Sequence, residues 1–155
     1  MTPLQSPVSA ALHWDVQNFP LRGRNLAIAR IGLVLHLPTR DVAEEFTRED
    51  AWFDTGAPIS IIPFRIHSMG LVWQPMAGIQ TRWSGIVCDV GSIDVWLVDR
   101  ATQIATGPYA MLAKFPRAEP PGNPPPILVG LQFVLAHQGA FHMPPHPSPG
   151  ALELA

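Results

Sequence analysis

"AWFDTGAPIS", Ala51 to Ser60, runs from apolar and aromatic residues into an Asp-Thr-Gly, then out through small residues and a proline. Two readings compete for Asp54. In one it is the polar start of a strand-ending turn, where Asp bonds its own backbone and Gly takes a positive φ. In the other it is a catalytic carboxylate. The tripeptide alone is a weak signal in a chain of this length. Its setting adds weight, because an apolar strand leads in, small Ala57 and Ser60 follow, and the apolar run Ile59 to Ile66 leads away.

The rest of the chain is built from similar short pieces. Leu26 to Pro38 is a long β-like run. Ser84 to Val90 and Ser92 to Arg100 are β-branched and partly alternating, with Gly91 between them, and Tyr109 to Phe115 reads as a further strand. The polar stretch Asp41 to Asp50 fits either one helical turn capped by Asp41 or a hairpin loop. "PRAEPPGNPPP", Pro116 to Pro126, is a loop, since proline removes backbone donors and keeps its predecessor out of the helical region. "ILVG", Ile127 to Gly130, follows it. Leu131, Val134 and Leu135 then stand at helical spacing, with Gly139 as a stop. Many short strands and one helix near the C-terminus predict an all-β domain. Its expected limits are residues 24–142, after an N-terminal extension (1–23) and before an extended Pro-rich tail (143–155).

Composition narrows the function classes. The 155 residues make one domain, and 47% hydrophobic content supplies a core. Only 14% of residues are charged, where roughly a quarter is usual, so part of the surface reads as an interface. With a net charge of −2 and no basic run, neither nucleic acid nor an anionic membrane is an expected partner. No apolar run approaches the ~20 residues of a membrane span. The first fifteen or so residues lack the basic and apolar regions of a signal peptide. Cys88 is the one cysteine, which excludes an internal disulfide and fits a reducing, cytoplasmic compartment. Cys88 lies inside an apolar run and is read as a packing residue rather than a nucleophile. His137, His142 and His146 are not a helical pair, are not joined by a Cys or carboxylate, and lie among prolines, so no metal is expected.

Three features together resemble the retropepsin-like aspartic proteases. They are "FDTGA" (Phe53 to Ala57), "ILVG" leading into the helical "LQFVLAH", and the Trp-rich "WQPMAGIQTRWSGIVCDVG" (Trp73 to Gly91) between them, where such enzymes keep a flap. The resemblance covers Arg24 to Gly139. It implies a small, closed, β-barrel-like acid protease fold with one short C-terminal helix, working as a homodimer on a peptide or protein without a cofactor. On the matching positions, it makes Asp54 the holder of the attacking water and Thr55 a residue that bonds across the dimer axis. Gly56 would admit substrate backbone, Ala57 and Ser60 would line the cleft, and Ile127 to Gly130 would pack beneath the loop. Trp83 and Gly85 would serve substrate from the flap, with Trp73 and Gly78 as further flap candidates.

The chemistry explains the dimer. Two carboxylates about 3 Å apart cannot both ionise, so they share a proton, one acting as base on water and the other as acid toward the scissile carbonyl. This chain has one Asp-Thr-Gly, so the second acid is expected from a second copy. Asp89 in "CDVGS" is too near in sequence to begin a second lobe and is expected at a turn on the return limb of the flap. The chain departs from the retroviral pattern at Pro58 and Leu131, which replace an acidic residue and an arginine that pair there. Losing both leaves no unpaired charge. Two alternatives stand beside the peptidase: a catalytically inactive module of the same fold that binds a peptide or protein, and an unrelated β barrel that shares only the turn.

Overall fold

The computed structural model describes residues 8–11, 13–19, 24–38, 46–142, 144 and 148–155. Six strands follow one another edge to edge: β3 (Arg24–His36), β4 (Phe46–Asp54), β9 (Ile127–Gly130), β5 (Ser60–Ile61), β8 (Ala105–Pro116) and β7 (Ile86–Val98). Strand β7 then returns to pair with β3, which closes the sheet into a barrel. The all-β closed-barrel expectation holds.

Closure depends on one strand serving two partners in succession. Arg24 to Arg30 of β3 pair with β2 (His13–Phe19), and Gly32 to Leu35 pair with β7. Arg30 pairs with β2 and β4 at once, so β2 and β7 occupy the same edge of β3, one after the other. The interior follows from period-two alternation. Ala29, Ile31, Leu33 and Leu35 of β3 are all buried, and Ile93, Val95 and Leu97 of β7 meet them with Met111, Phe115, Ile127 and Phe133.

Three segments differ from expectation. The run Ile59 to Ile66 is a strand only at Ser60–Ile61. Pro63 has no N–H to continue the ladder, and its carbonyl instead accepts from Ile66 and His67, starting the short helix α1 (Phe64–His67). Strand β7 runs straight through Gly91 rather than breaking there. A Cβ on Gly91 would lie 2.4 Å from the Gln74 carbonyl and 2.6 Å from the Trp73 ring, so this glycine is a place of close approach, not a stop. Phe46 to Asp50 belong to β4, whereas the Asp41 capping alternative falls outside the described residues.

A second, three-stranded sheet joins the two ends of the chain. Strand β11 (Ala151–Leu154) pairs with β1 (Val8–Ala11) and with β10 (Ala140–His142), burying Ala10, Leu152 and Leu154. Both β1 and β11 lie outside the 24–142 range read from sequence.

Strand β6 (Gln74–Trp83) is mostly exposed and pairs with β7 to make a hairpin. Its root is fixed by aromatic packing. Trp73 stacks on Phe115 with ring centroids 3.8 Å apart, and His67 meets both rings edge-on. His67 Nε2 donates to the Pro116 carbonyl at 2.6 Å. Burial pushes the His67 pKa down, partly opposed by the Pro116 carbonyl and the charges of Asp89 and Glu119.

The sign of the pH effect follows. The folded chain holds fewer protons at His67 than the unfolded chain, so this site's stability is intact above the ordinary value of 6.5 and is lost as pH falls below it. Thermal melts of wild type and His67→Gln across this range test the point. The wild type is expected to lose melting temperature on acidification, and the variant to lose less.

Candidate active site

Asp54 is the last residue of β4. Strand β4 lies parallel to β9, which sets Asp54 opposite Gly130. The chain then turns sharply. Asp54 Oδ1 accepts from the Gly56 amide at 2.9 Å, and the Asp54 carbonyl accepts from Ala57 at 3.1 Å. The turn reading is therefore correct as geometry, although Gly56 is not among the residues with positive φ. That geometry also aims a half-buried carboxylate at a loop whose Thr55, Gly56 and Pro58 are exposed.

The loop is fastened from below. Helix α2 (Leu131–Ala136) begins against it, with Leu131 donating to the Ala57 carbonyl at 2.9 Å and Gln132 to the Pro58 carbonyl at 3.0 Å. These contacts satisfy amides that a helix start leaves without partners, and α2 has no side-chain cap. Gly130 makes the approach possible. A Cβ there would sit 2.7 Å from the Ala57 carbonyl oxygen and 2.8 Å from the Ile59 carbonyl carbon. "ILVG" does pack beneath the loop, with Ile127, Val129 and Gly130 buried.

Ser60 requires a correction. It is fully buried, and its Oγ accepts from the Gly130 amide at 3.0 Å. It pins the floor of the loop and does not line a cleft. Nothing in the tripeptide signals this role. The cue is a small hydroxyl residue placed where a glycine amide must be satisfied in the core. Phe53 was likewise read only as part of the motif; it stacks on Phe141 at 4.5 Å and ties the end of β4 to the terminal sheet.

At Pro58 and Leu131 the loop is held by backbone hydrogen bonds. Leu131 itself is exposed, as is Leu135 on the same helix. Asp89 stands within β7, opposite Phe115, not at a turn. Its carboxylate is gripped by Arg117 through two bonds of 2.8 and 3.1 Å, which hold it below the usual carboxylate range. It braces β7 against the start of the proline loop.

The hairpin carries the other candidates. Ser84 and Gly85 form its tip, both with positive φ (49° and 77°), between the paired Trp83 and Ile86. Trp83 is half-buried and Gly85 exposed. Gly78 (φ 77°) lies in an irregular stretch between Pro75 and Gln80, beside exposed Met76 and Ile79.

The histidines are dispersed in function. His137 donates to the Ala110 carbonyl, His142 lies 3.4 Å from Glu153, and His146 is outside the described residues. Among the described residues, no three His, Cys, Asp or Glu side chains gather as a metal site.

No family model matches the sequence, and no curated protein matches it. Among solved structures, the chain is similar to a retropepsin-like aspartic protease from Rickettsia conorii. The identity is 8%, 96% of this chain and 93% of that one are covered, and the TM-score is 0.54. The likeness establishes the retropepsin-like all-β fold.

The clamp is testable by unfolding in urea. Ser60→Ala strands the buried Gly130 amide and is expected to cost about 1–3 kcal/mol. Gly130→Ala forces the loop off β9 and is expected to cost at least as much. Wild-type stability in both variants would show that the loop is not held from below.

Proposed function

We propose that this protein is an aspartic endopeptidase whose active site is completed by two copies of the chain, each contributing Asp54. The observation that carries this reading is the clamped loop. An Asp-Thr-Gly carboxylate sits at a strand end, oriented by the Gly56 amide and fixed by β9 and α2, in a fold shared with a solved aspartic protease.

Several features support the assembly. The carboxylate pair needed to activate water has one member here, on an exposed loop. Thr55 is exposed next to it, where its hydroxyl can reach a second copy. Low charge content and the exposed Leu131 and Leu135 suit a surface that is covered by a partner. Paired across a two-fold axis, the two Asp54 carboxylates share one proton. The ionised one takes a proton from water as the water attacks the peptide carbonyl, and the protonated one donates to the carbonyl oxygen. Trp83, Gly85 and the rest of the hairpin would cover the bound peptide and exclude water, while Ala57 lines the cleft beside the reacting bond. No metal or organic cofactor takes part in this scheme.

The second reading is a binding module of the same fold. The loss of the charged brace at Pro58 and Leu131 favours it, since a binding role places fewer demands on that loop.

Digestion of a peptide library at about pH 5 and about pH 7 separates the readings. Wild type is expected to cleave, and Asp54→Asn to lose about a thousandfold or more while sedimenting as the same oligomer. Undiminished cleavage by Asp54→Asn sinks the peptidase reading. A wild type that binds library peptides and cuts none establishes the binding module.

A further inference from the structure

The outer face of β3 and β4 carries a groove that the peptidase reading does not use. Its narrow end, about 250 Å³, is lined by Arg30, Gly32, Arg48, Asp50, Arg100 and Gln103. Its wider end, about 560 Å³, shares Arg30, Arg48 and Asp50 and adds Trp52, Arg65 and Glu49. In a chain of net charge −2, four of the ten basic residues meet along this one surface.

The narrow end is built rather than incidental. Gly32 forms part of its floor, where a Cβ would lie 3.1 Å from the Val98 Cβ. Gln103 holds that guanidinium, its Oε1 accepting from Arg48 Nη1 at 2.6 Å. Gln103 is itself fixed twice, its side-chain amide donating to the Arg100 carbonyl and its backbone amide to the Asp99 carbonyl, each at 2.7 Å. It adopts a φ of 60°, a conformation that costs a non-glycine residue of order 1 kcal/mol. Asp99 closes the turn by accepting from Ala101 and Thr102. A strained, fully bonded turn thus presents one guanidinium in a set position.

We propose that this groove binds an acidic, extended peptide segment, whose carboxylates are taken by Arg48 and Arg100 with Arg30 and Arg65 alongside. Charge selects an anion, and the planar guanidinium fork suits a carboxylate. Glu49 and Asp50 line the same groove and disfavour a dense polyanion, so spaced carboxylates fit best. Arg48, Asp50 and Trp52 of β4 line the groove in turn. On that strand Arg48 and Asp50 are exposed while Ala51 is buried and Phe53 packs on the core, so Trp52 and then Asp54 continue the outward parity. A peptide lying in the groove is directed along β4 toward Asp54. This last link rests on the peptidase reading; the binding does not.

Full-length Asp54→Asn protein, which leaves peptide uncut, isolates the binding step. Fluorescence anisotropy is read with a labelled Gly-Ser-Glu repeat peptide and its Gly-Ser-Gln counterpart. The Glu peptide is expected to bind about tenfold tighter. Added Arg48→Gln or Arg100→Gln should each weaken the Glu peptide about threefold, with unchanged melting temperature, whereas Lys114→Gln, an equal change of charge outside the groove, should not. Equal binding of the two peptides, or equal weakening by Lys114→Gln, overturns the proposal. So does complete displacement by millimolar inorganic phosphate at constant ionic strength, which would mark a site for free oxyanions. With Asp54 restored, Arg48→Gln is expected to lower the cleavage of acidic peptides relative to neutral ones. If wild type cleaves nothing, the peptidase reading fails, and the anisotropy still decides the groove.

Discussion

Gly130 allows two stretches of backbone to lie closer than any side chain permits, and the organisation around Asp54 depends on that contact. The carbonyls of Ala57 and Ile59 press against its Cα, and the Ala57 and Pro58 carbonyls receive the first amides of α2. Loop and helix thus complete each other. The helix gains partners for amides that its first turn would otherwise leave orphaned, and the loop gains a floor. Ser60 satisfies the Gly130 amide. Because these bonds use main-chain atoms, they tolerate changes in side chain. Proline at position 58 cannot donate, yet the carbonyl it offers is the group the helix needs.

Legibility in the sequence tracked the range of the interactions. Asp54, its loop, "ILVG" and α2 were readable because their chemistry is local and their residue types are restrictive. The β3 segment was readable as a long apolar β-like run, and the two halves of β7 as β-branched, partly alternating runs. Ser60 was misread because its partner is distant in the chain and its neighbours suggested a cleft. Gly91 looked like a break because a glycine between β-branched runs usually is one; only the Trp73 ring, brought against it by the fold, reveals its purpose. Helix α1 was missed because Pro63 interrupts an apolar run whose composition is that of a strand. The pairing of β1 with β11 joins two four-residue pieces from opposite ends, and such short segments carry too little periodicity to be matched by inspection.

The hairpin of β6 and β7 is packed at its root and regularly paired at its tip, with an irregular stretch between. At the root, Trp73, Phe115 and His67 form a packed aromatic group, and Asp89 with Arg117 adds an ion pair farther along. Between root and tip, β6 is exposed and its pairing is interrupted at Met76 to Ile79; from Gln80 to Trp83 the pairing with β7 is regular again, with Thr81 and Trp83 half-buried, and the turn is formed by two residues of positive φ. Local opening is cheapest where buried contacts and paired backbone are fewest, which on this hairpin is Met76 to Ile79.

Barrel closure also has a temporal side. Asp54 is made early in the chain, whereas the strand and glycine that set its loop come late, and the β3–β7 seam likewise joins distant segments. Contacts of such long sequence separation form slowly, and only after the intervening chain exists. A nascent or partly unfolded chain therefore has the aspartate without its support. The topology withholds support from Asp54 until synthesis has passed Gly130, so the set geometry of its loop belongs only to the finished domain.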